Sequence, residues 1–390
     1  MIKFNFQGLR PKKDEIETYS KDDFKFTEVQ PDMDRLVEIA GKYGKTKNLI
    51  ILARGGSISS FRAFWQAQGM YISDKNVYFV DTIDPDYTFY VKDRCMAENS
   101  LVIAISKSGT TVDVLENVMS FWDYPMVMIT SEGDNPLNQI AKKMSFDIVV
   151  HPEIGGRYSG LSEVALLPAM ICGLDVSEIR RGAKEAYAEF QKPKNYAKSL
   201  ALIVKDLSDE GYDQIFWPIY SKKLASFYEI ISQLISESVA KEGKGITVLP
   251  AEGPESQHYL NQRFFGGPKN MIGIFTTVSN FEEDQKVKAA EEIKDIALKD
   301  INLSALSGIP LSKDMHFELQ GSLENAKNKK IPAVLLEIDK VDEYNLGYFL
   351  AFLHIFTVYL SRAFEVNPFD QPEVEAAKKI SFEARKNYKK

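Results

Sequence analysis

Ser106-Lys107-Ser108-Gly109-Thr110-Thr111 places four hydroxyls and one ammonium around a single glycine. The apolar run Leu101 to Ile105 precedes it and a helical pattern through Val112, Leu115 and Val118 follows, so the pattern predicts a strand, a turn and a helix start. Unpaired N–H groups at a helix N-terminus carry partial positive charge, and with these hydroxyls they can surround a phosphate. The spacing is not that of a Walker loop. It suits a small phosphate monoester held without magnesium. The plainer use of the same hydroxyls is to cap the helix that begins near Thr111.

Four other side chains have the right chemistry for moving protons or meeting anions. Glu237 lies seven and three residues after Ile230 and Leu234, at the edge of a buried helical face where a carboxylate becomes a better base. Its structural alternative is a salt bridge, for instance with Lys241 four residues on. His258 follows a strand and a Gly-Pro turn, and histidine moves protons near neutral pH. Arg157, between Gly155-Gly156 and a largely apolar helix, is placed to meet an anion or to form a surface ion pair. Gln371 and Lys378 are seven residues apart and share a helical face, where Lys378 either points inward to a ring oxygen or anion or is a surface charge.

Strands alternating with helices must position these groups. Asn48 to Ala53, Val77 to Val80, Leu101 to Ile105, Met126 to Ile129 and Asp147 to Val150 read as parallel strands buried on both faces. Such sheets bind ligands at the carboxyl ends of their strands, where Arg54-Gly55-Gly56-Ser57 and the Ser106 loop both fall. Glycines allow close backbone approach there, and Ser57 is a candidate cap for the helix through Phe61, Phe64 and Trp65. After Lys192-Pro193-Lys194-Asn195, the best boundary, the alternation restarts with strands at Gln214 to Tyr220, Ile246 to Leu249, Met271 to Val278 and Ala333 to Ile338. The apolar helix from Tyr344 to about Phe364 should be buried between domains or subunits, and a last helix begins at Asp370-Gln371-Pro372. The division expected is a polar leader over 1–34, α/β units over 35–192 and 193–342, and C-terminal helices over 343–390 ending in a solvated lysine-rich tail.

Composition narrows the function class. A chain of 390 residues, 44% hydrophobic, can bury a substantial core. Its net charge of −7 gives no footprint for nucleic acid or an acidic membrane. Cys95 and Cys172 beside four histidines make neither a disulfide framework nor a metal spacing. With no apolar leader and no uninterrupted apolar stretch of spanning length, a soluble cytoplasmic protein is expected.

Taken in order, these pieces resemble the glucose-6-phosphate isomerase family of the sugar-isomerase (SIS) fold. The motifs are Gly55 to Ser57, Ser106 to Thr111, Gly155 to Ser159, Gln-Leu-x-x-Glu-Ser at Gln233 to Ser238, Gln257-His258, and Asp370 to Lys378. Ala53-Arg54, Ser236, Ala240 and Glu373 depart from the family pattern, and none is a reacting side chain. The resemblance implies two doubly wound SIS-type parallel-sheet sandwich domains and a C-terminal helical segment. It implies that Ser106, Lys107, Ser108 and Thr111 bind the sugar phosphate, with Gly56 and Ser57 along the sugar and Gln371 on phosphate or sugar. His258, assisted by Lys378, would open the ring, Glu237 would carry a proton between C2 and C1 through a cis-enediolate, and Arg157 would stabilise the developing charge. No cofactor or metal is implied, since Arg157 takes the place of a divalent ion. A homodimer is implied, with His258 contributed across the interface. The alternatives are an isomerase that also accepts mannose 6-phosphate and a non-catalytic phosphosugar sensor.

Overall fold

The computed structural model describes residues 1–16 and 20–388. Among the described residues, twelve strands run in chain order: β1 (Ile2–Asn5), β2 (Asn48–Leu52), β3 (Asn76–Val80), β4 (Ser100–Ile105), β5 (Met126–Thr130), β6 (Asp147–Val150), β7 (Gln214–Tyr220), β8 (Thr247–Glu252), β9 (Met271–Val278), β10 (Ala297–Leu298), β11 (Ile301–Asn302) and β12 (Ala333–Ile338). β2 to β6 form one sheet, all parallel, in the order β3-β2-β4-β5-β6. A second sheet has the order β1-β12-β9-β7-β8, parallel except for β1. Strands β2, β4 and β5 are buried along their whole length, which is why they read as continuous apolar runs and not as alternation.

The first sheet reverses its direction of winding between β2 and β4. A doubly wound sheet opens a crevice at that point, outside the carboxyl ends of the two strands. The loops leaving β2 and β4 are Arg54 to Ser57 and Ser106 to Thr111. The parallel strands β7, β8, β9 and β12 repeat this winding, with β7 central, so the two halves share a topology that no repeat in the sequence announces.

Two expectations change. The leader is not merely polar: Ile2 to Asn5 pair antiparallel with Leu335 to Ile338, and Phe24 and Phe26 are buried. Alternating Ile2 and Phe4 provide one apolar face, enough for an edge strand. Ser57 does not cap its helix, which starts one residue earlier as Gly56–Phe64 with Gly55 at the cap.

The helix Glu343–Ala363 is long and apolar enough to cross a membrane, but it is buried within the protein against Val176–Phe190 and Tyr196–Asp209. The last helix, Glu375–Lys386, buries none of its residues. Arg385 ties it to Glu116 at 2.6 Å, on the helix Val112–Ser120 that leaves the Ser106 loop. Of the lysine-rich tail, residues 389–390 lie outside the described residues.

Candidate active site

Glu237 and Arg157 come from different halves of the chain and meet in an ion pair. Glu237 projects from the last turn of the helix Tyr228–Ser238, following β7. Arg157 comes from a short helical turn, Gly156–Leu161, after β6. Nη1 of Arg157 donates to Oε2 of Glu237 at 2.7 Å, the arginine side chain being only 4% exposed and the glutamate 26%. Arg157 also donates to Oε1 of Gln371, and through Nη2 to the carbonyls of Pro368 at 3.0 Å and Asp370 at 2.9 Å. Its Nε is buried and unpartnered among the described residues. The surface ion pair considered for Arg157 is therefore not what forms.

Gly56 is what lets Arg157 sit there. A Cβ on residue 56 would lie 2.3 Å from the backbone N of Arg157 and 2.3 Å from the carbonyl carbon of Gly156. The loop after β2 thus presses directly on the peptide that carries the arginine. Only a residue without a side chain permits that approach. Ser57, in the first turn of the same helix, keeps its hydroxyl close to Gly156.

The proposed bridge from Glu237 to Lys241 is replaced by a different pairing. Lys241 is buried and donates to Oδ1 of Asp370 at 2.6 Å, to the Asp370 carbonyl at 2.7 Å and to the Asn367 carbonyl at 2.5 Å. Lys241 holds the Asp370 carboxyl below the usual carboxylate range. Arg157 and Lys241 together clamp residues 367–371, and so fix Gln371. The i, i+4 spacing of Glu237 and Lys241 is legible in the sequence, whereas the distant segment that competes for the lysine is not.

The Ser106 loop lies at the end of β4. Oγ of Ser106 and Oγ1 of Thr111 are 2.7 Å apart, and Oγ of Ser108 accepts from Oγ1 of Thr110 at 2.8 Å. Thr111 occupies the cap position of Val112–Ser120 without a side-chain cap bond, so its hydroxyl serves the loop and not the helix. The Lys107 carbonyl accepts from Ser131 N at 3.0 Å, which pins the loop to the end of β5, and its ammonium is 3.2 Å from Glu153.

Two expected participants stand apart. His258 is exposed in the turn Glu255–His258 after β8, and among the described residues no hydrogen bond or ion pair links it to Glu237 or Arg157. Lys378 is 61% exposed and pairs with Glu375 at 2.8 Å, the geometry of the surface reading and not of an inward-facing lysine. Beside Glu237 opens a cleft of about 500 Å³ lined by Gly55, Ser59, Arg62, Asp81 and Gln233. Arg54, one of the departures from the family pattern, pairs with Asp113 at 2.5 Å and so joins the β2 loop to the helix of the Ser106 loop. Among the described residues no three His, Cys, Asp or Glu side chains gather to hold a metal ion.

Two similarly wound parallel sheets, with a hydroxyl loop at one switch point and a carboxylate paired to a buried arginine between the halves, define an SIS-type phosphosugar isomerase fold. Solved structures agree on the fold: a hypothetical protein of Thermus thermophilus superposes with a TM-score of 0.84 at 24% identity, covering 93% of this chain and 90% of that one. A glucose-6-phosphate isomerase from Chlamydia trachomatis gives 0.73 at 23%, covering 90% and 72%. No family model matches the sequence. A Methanococcus maripaludis protein named "Probable glucose-6-phosphate isomerase" is 30% identical over 381 residues, 93% of this chain and 84% of the relative. The chain belongs to the glucose-6-phosphate isomerase family.

Proposed function

We propose that this chain interconverts D-glucose 6-phosphate and D-fructose 6-phosphate, in glycolysis and gluconeogenesis, without a metal ion. The observation that carries the reading is the pairing of Glu237 with the buried Arg157 next to the crevice that the Ser106 loop borders. Ser106, Lys107, Ser108 and Thr111 hold the phosphate, Lys107 leaving Glu153 to do so. Gly56 and Ser57 lie along the sugar, and Gln371 contacts phosphate or sugar.

His258 opens the ring by proton transfer at its oxygen, with Lys378 assisting after release from Glu375. Glu237 then takes the proton from C2 of the open aldose and returns it at C1 of the cis-enediolate. A positioned carboxylate contributes about two to four powers of ten in rate. Arg157 faces the oxygen on which charge develops, where a fixed donor is worth about two to three powers of ten. As the family resemblance implies, we assign His258 to the site of a second copy in a homodimer, a placement with which its exposure in the turn Glu255–His258 is consistent. The units 35–192 and 193–342 then act as the phosphosugar-binding and base-carrying domains, with 343–390 completing the site, in the cytoplasm.

The test is conversion of fructose 6-phosphate to glucose 6-phosphate by the purified protein in excess EDTA, with mannose 6-phosphate tried in parallel. Turnover supports the reading. Ligand-dependent thermal stabilisation without turnover would contradict it in favour of a sensor.

A further inference from the structure

The carboxylate of Glu237 has a second donor that the mechanism above leaves unused. Nε2 of Gln233, one helical turn earlier, donates to Oε1 of Glu237 at 2.8 Å, while Arg157 holds Oε2. The other end of the amide is occupied too. Oγ of Ser59 donates to Oε1 of Gln233 at 3.0 Å.

This chain of hydrogen bonds has one direction. An ionised carboxylate only accepts, so Gln233 must present its NH2 to Glu237, which leaves its carbonyl oxygen for a donor. Ser59 is that donor. It is 6% exposed, and its helix, Gly56–Phe64, is the one that carries Gly56 and Ser57. Backbone contact reinforces the fit: Gly55 has φ +53°, and a Cβ there would lie 3.0 Å from Nε2 of Gln233. One turn along the same pair of helices, Arg62 donates to Glu229 at 2.7 Å, linking the helices, and to Asp81 after β3 at 2.5 Å.

We propose that Ser59 is a positioning residue for this reaction, acting through Gln233 to hold the plane of the Glu237 carboxylate. Two donors on two oxygens define that plane, and a base misplaced by a fraction of its reach to carbon loses rate without losing substrate affinity. The proposal rests on the isomerase reading given above.

Its test is steady-state kinetics on fructose 6-phosphate for Ser59→Ala, made in the wild-type and in the Gln233→Ala background. Alanine removes one oxygen and suits a helix, so the fold stands. The expected result is a fall in kcat of about tenfold with KM within about twofold, and no further fall in the Gln233→Ala background. An unchanged kcat, an effect confined to KM, or the same loss in both backgrounds would overturn the relay while leaving the isomerase reading intact. Absence of turnover in the wild type would overturn that reading and the relay with it.

Discussion

Arg157 and Glu237 are joined at 2.7 Å although they come from opposite halves of the chain, and the arginine spends its remaining Nη contacts on Gln371 and the carbonyls of residues 368 and 370. One guanidinium therefore orients the Glu237 carboxylate and anchors the C-terminal segment, and in the proposed mechanism it also meets the developing oxyanion. A lysine offers a point charge and cannot reproduce that fork. Arg157→Lys should lower kcat/KM at least about a hundredfold, close to the loss in Arg157→Gln. Steady-state assays of the two variants check it, and near-wild-type activity in the lysine variant would show that charge alone suffices.

Gly56→Ala should be more damaging than its size suggests. The added carbon would meet backbone at 2.3 Å and must push the Gly156-Arg157 peptide away. Overpacking of this kind costs about 1–3 kcal/mol of stability. The displaced Arg157 should remove most of the activity as well. Denaturant unfolding and an activity assay on one preparation measure both effects.

The hydroxyl pair Ser106 and Thr111 should act on binding and not on proton transfer. Ser106→Ala and Thr111→Val each remove a hydroxyl from the loop proposed to hold the phosphate, expected to raise KM about tenfold, or ~1.4 kcal/mol, with kcat within about threefold. If these hydroxyls served only the helix, stability would fall and KM would not move.

His354 supplies a pH test. It is fully buried, bonded through Nδ1 to the Tyr187 hydroxyl at 2.9 Å, and burial pushes its imidazole down to about 3. The unfolded chain takes up a proton near the ordinary histidine value, at which the folded protein stays neutral. Stability is therefore complete above about pH 6.5 and declines as pH falls toward 3, at up to ~1.4 kcal/mol per pH unit for this group. A His354→Asn variant should show a flatter decline in melting temperature between pH 6.5 and 4.5, whatever its stability at neutral pH.

Both cysteines should be silent in the folded enzyme. Cys95 and Cys172 are buried, and burial pushes the Cys172 thiol up to about 12. A thiol reagent at pH 8 should modify neither until denaturant is added.

Much of the fold was legible because its central strands are buried on both faces. Apolar runs such as Leu101 to Ile105 and Met271 to Val278 match β4 and β9 nearly residue for residue. The edge strand Ile2–Asn5 was missed, since four residues with one apolar face resemble any leader. Residue types named Arg157 and Glu237 as candidates, yet local spacing paired Glu237 with Lys241. Only the three-dimensional course of residues 367–371 gives that lysine to Asp370 and the arginine to Glu237. Ser59 went unnoticed for a similar reason. A serine within an apolar helix carries no signal until its partner, 174 positions away, is in place.

In the proposed mechanism Glu237 carries the proton between C2 and C1. The most direct measurement is proton NMR of fructose 6-phosphate and glucose 6-phosphate incubated with the enzyme in deuterium oxide, comparing wild type with Glu237→Gln. The wild type should interconvert the sugars and exchange solvent deuterium into C1 of the ketose and C2 of the aldose, and Glu237→Gln should do neither while still binding the substrate. Exchange by the glutamine variant at the wild-type rate would contradict it and assign the proton transfer to another base.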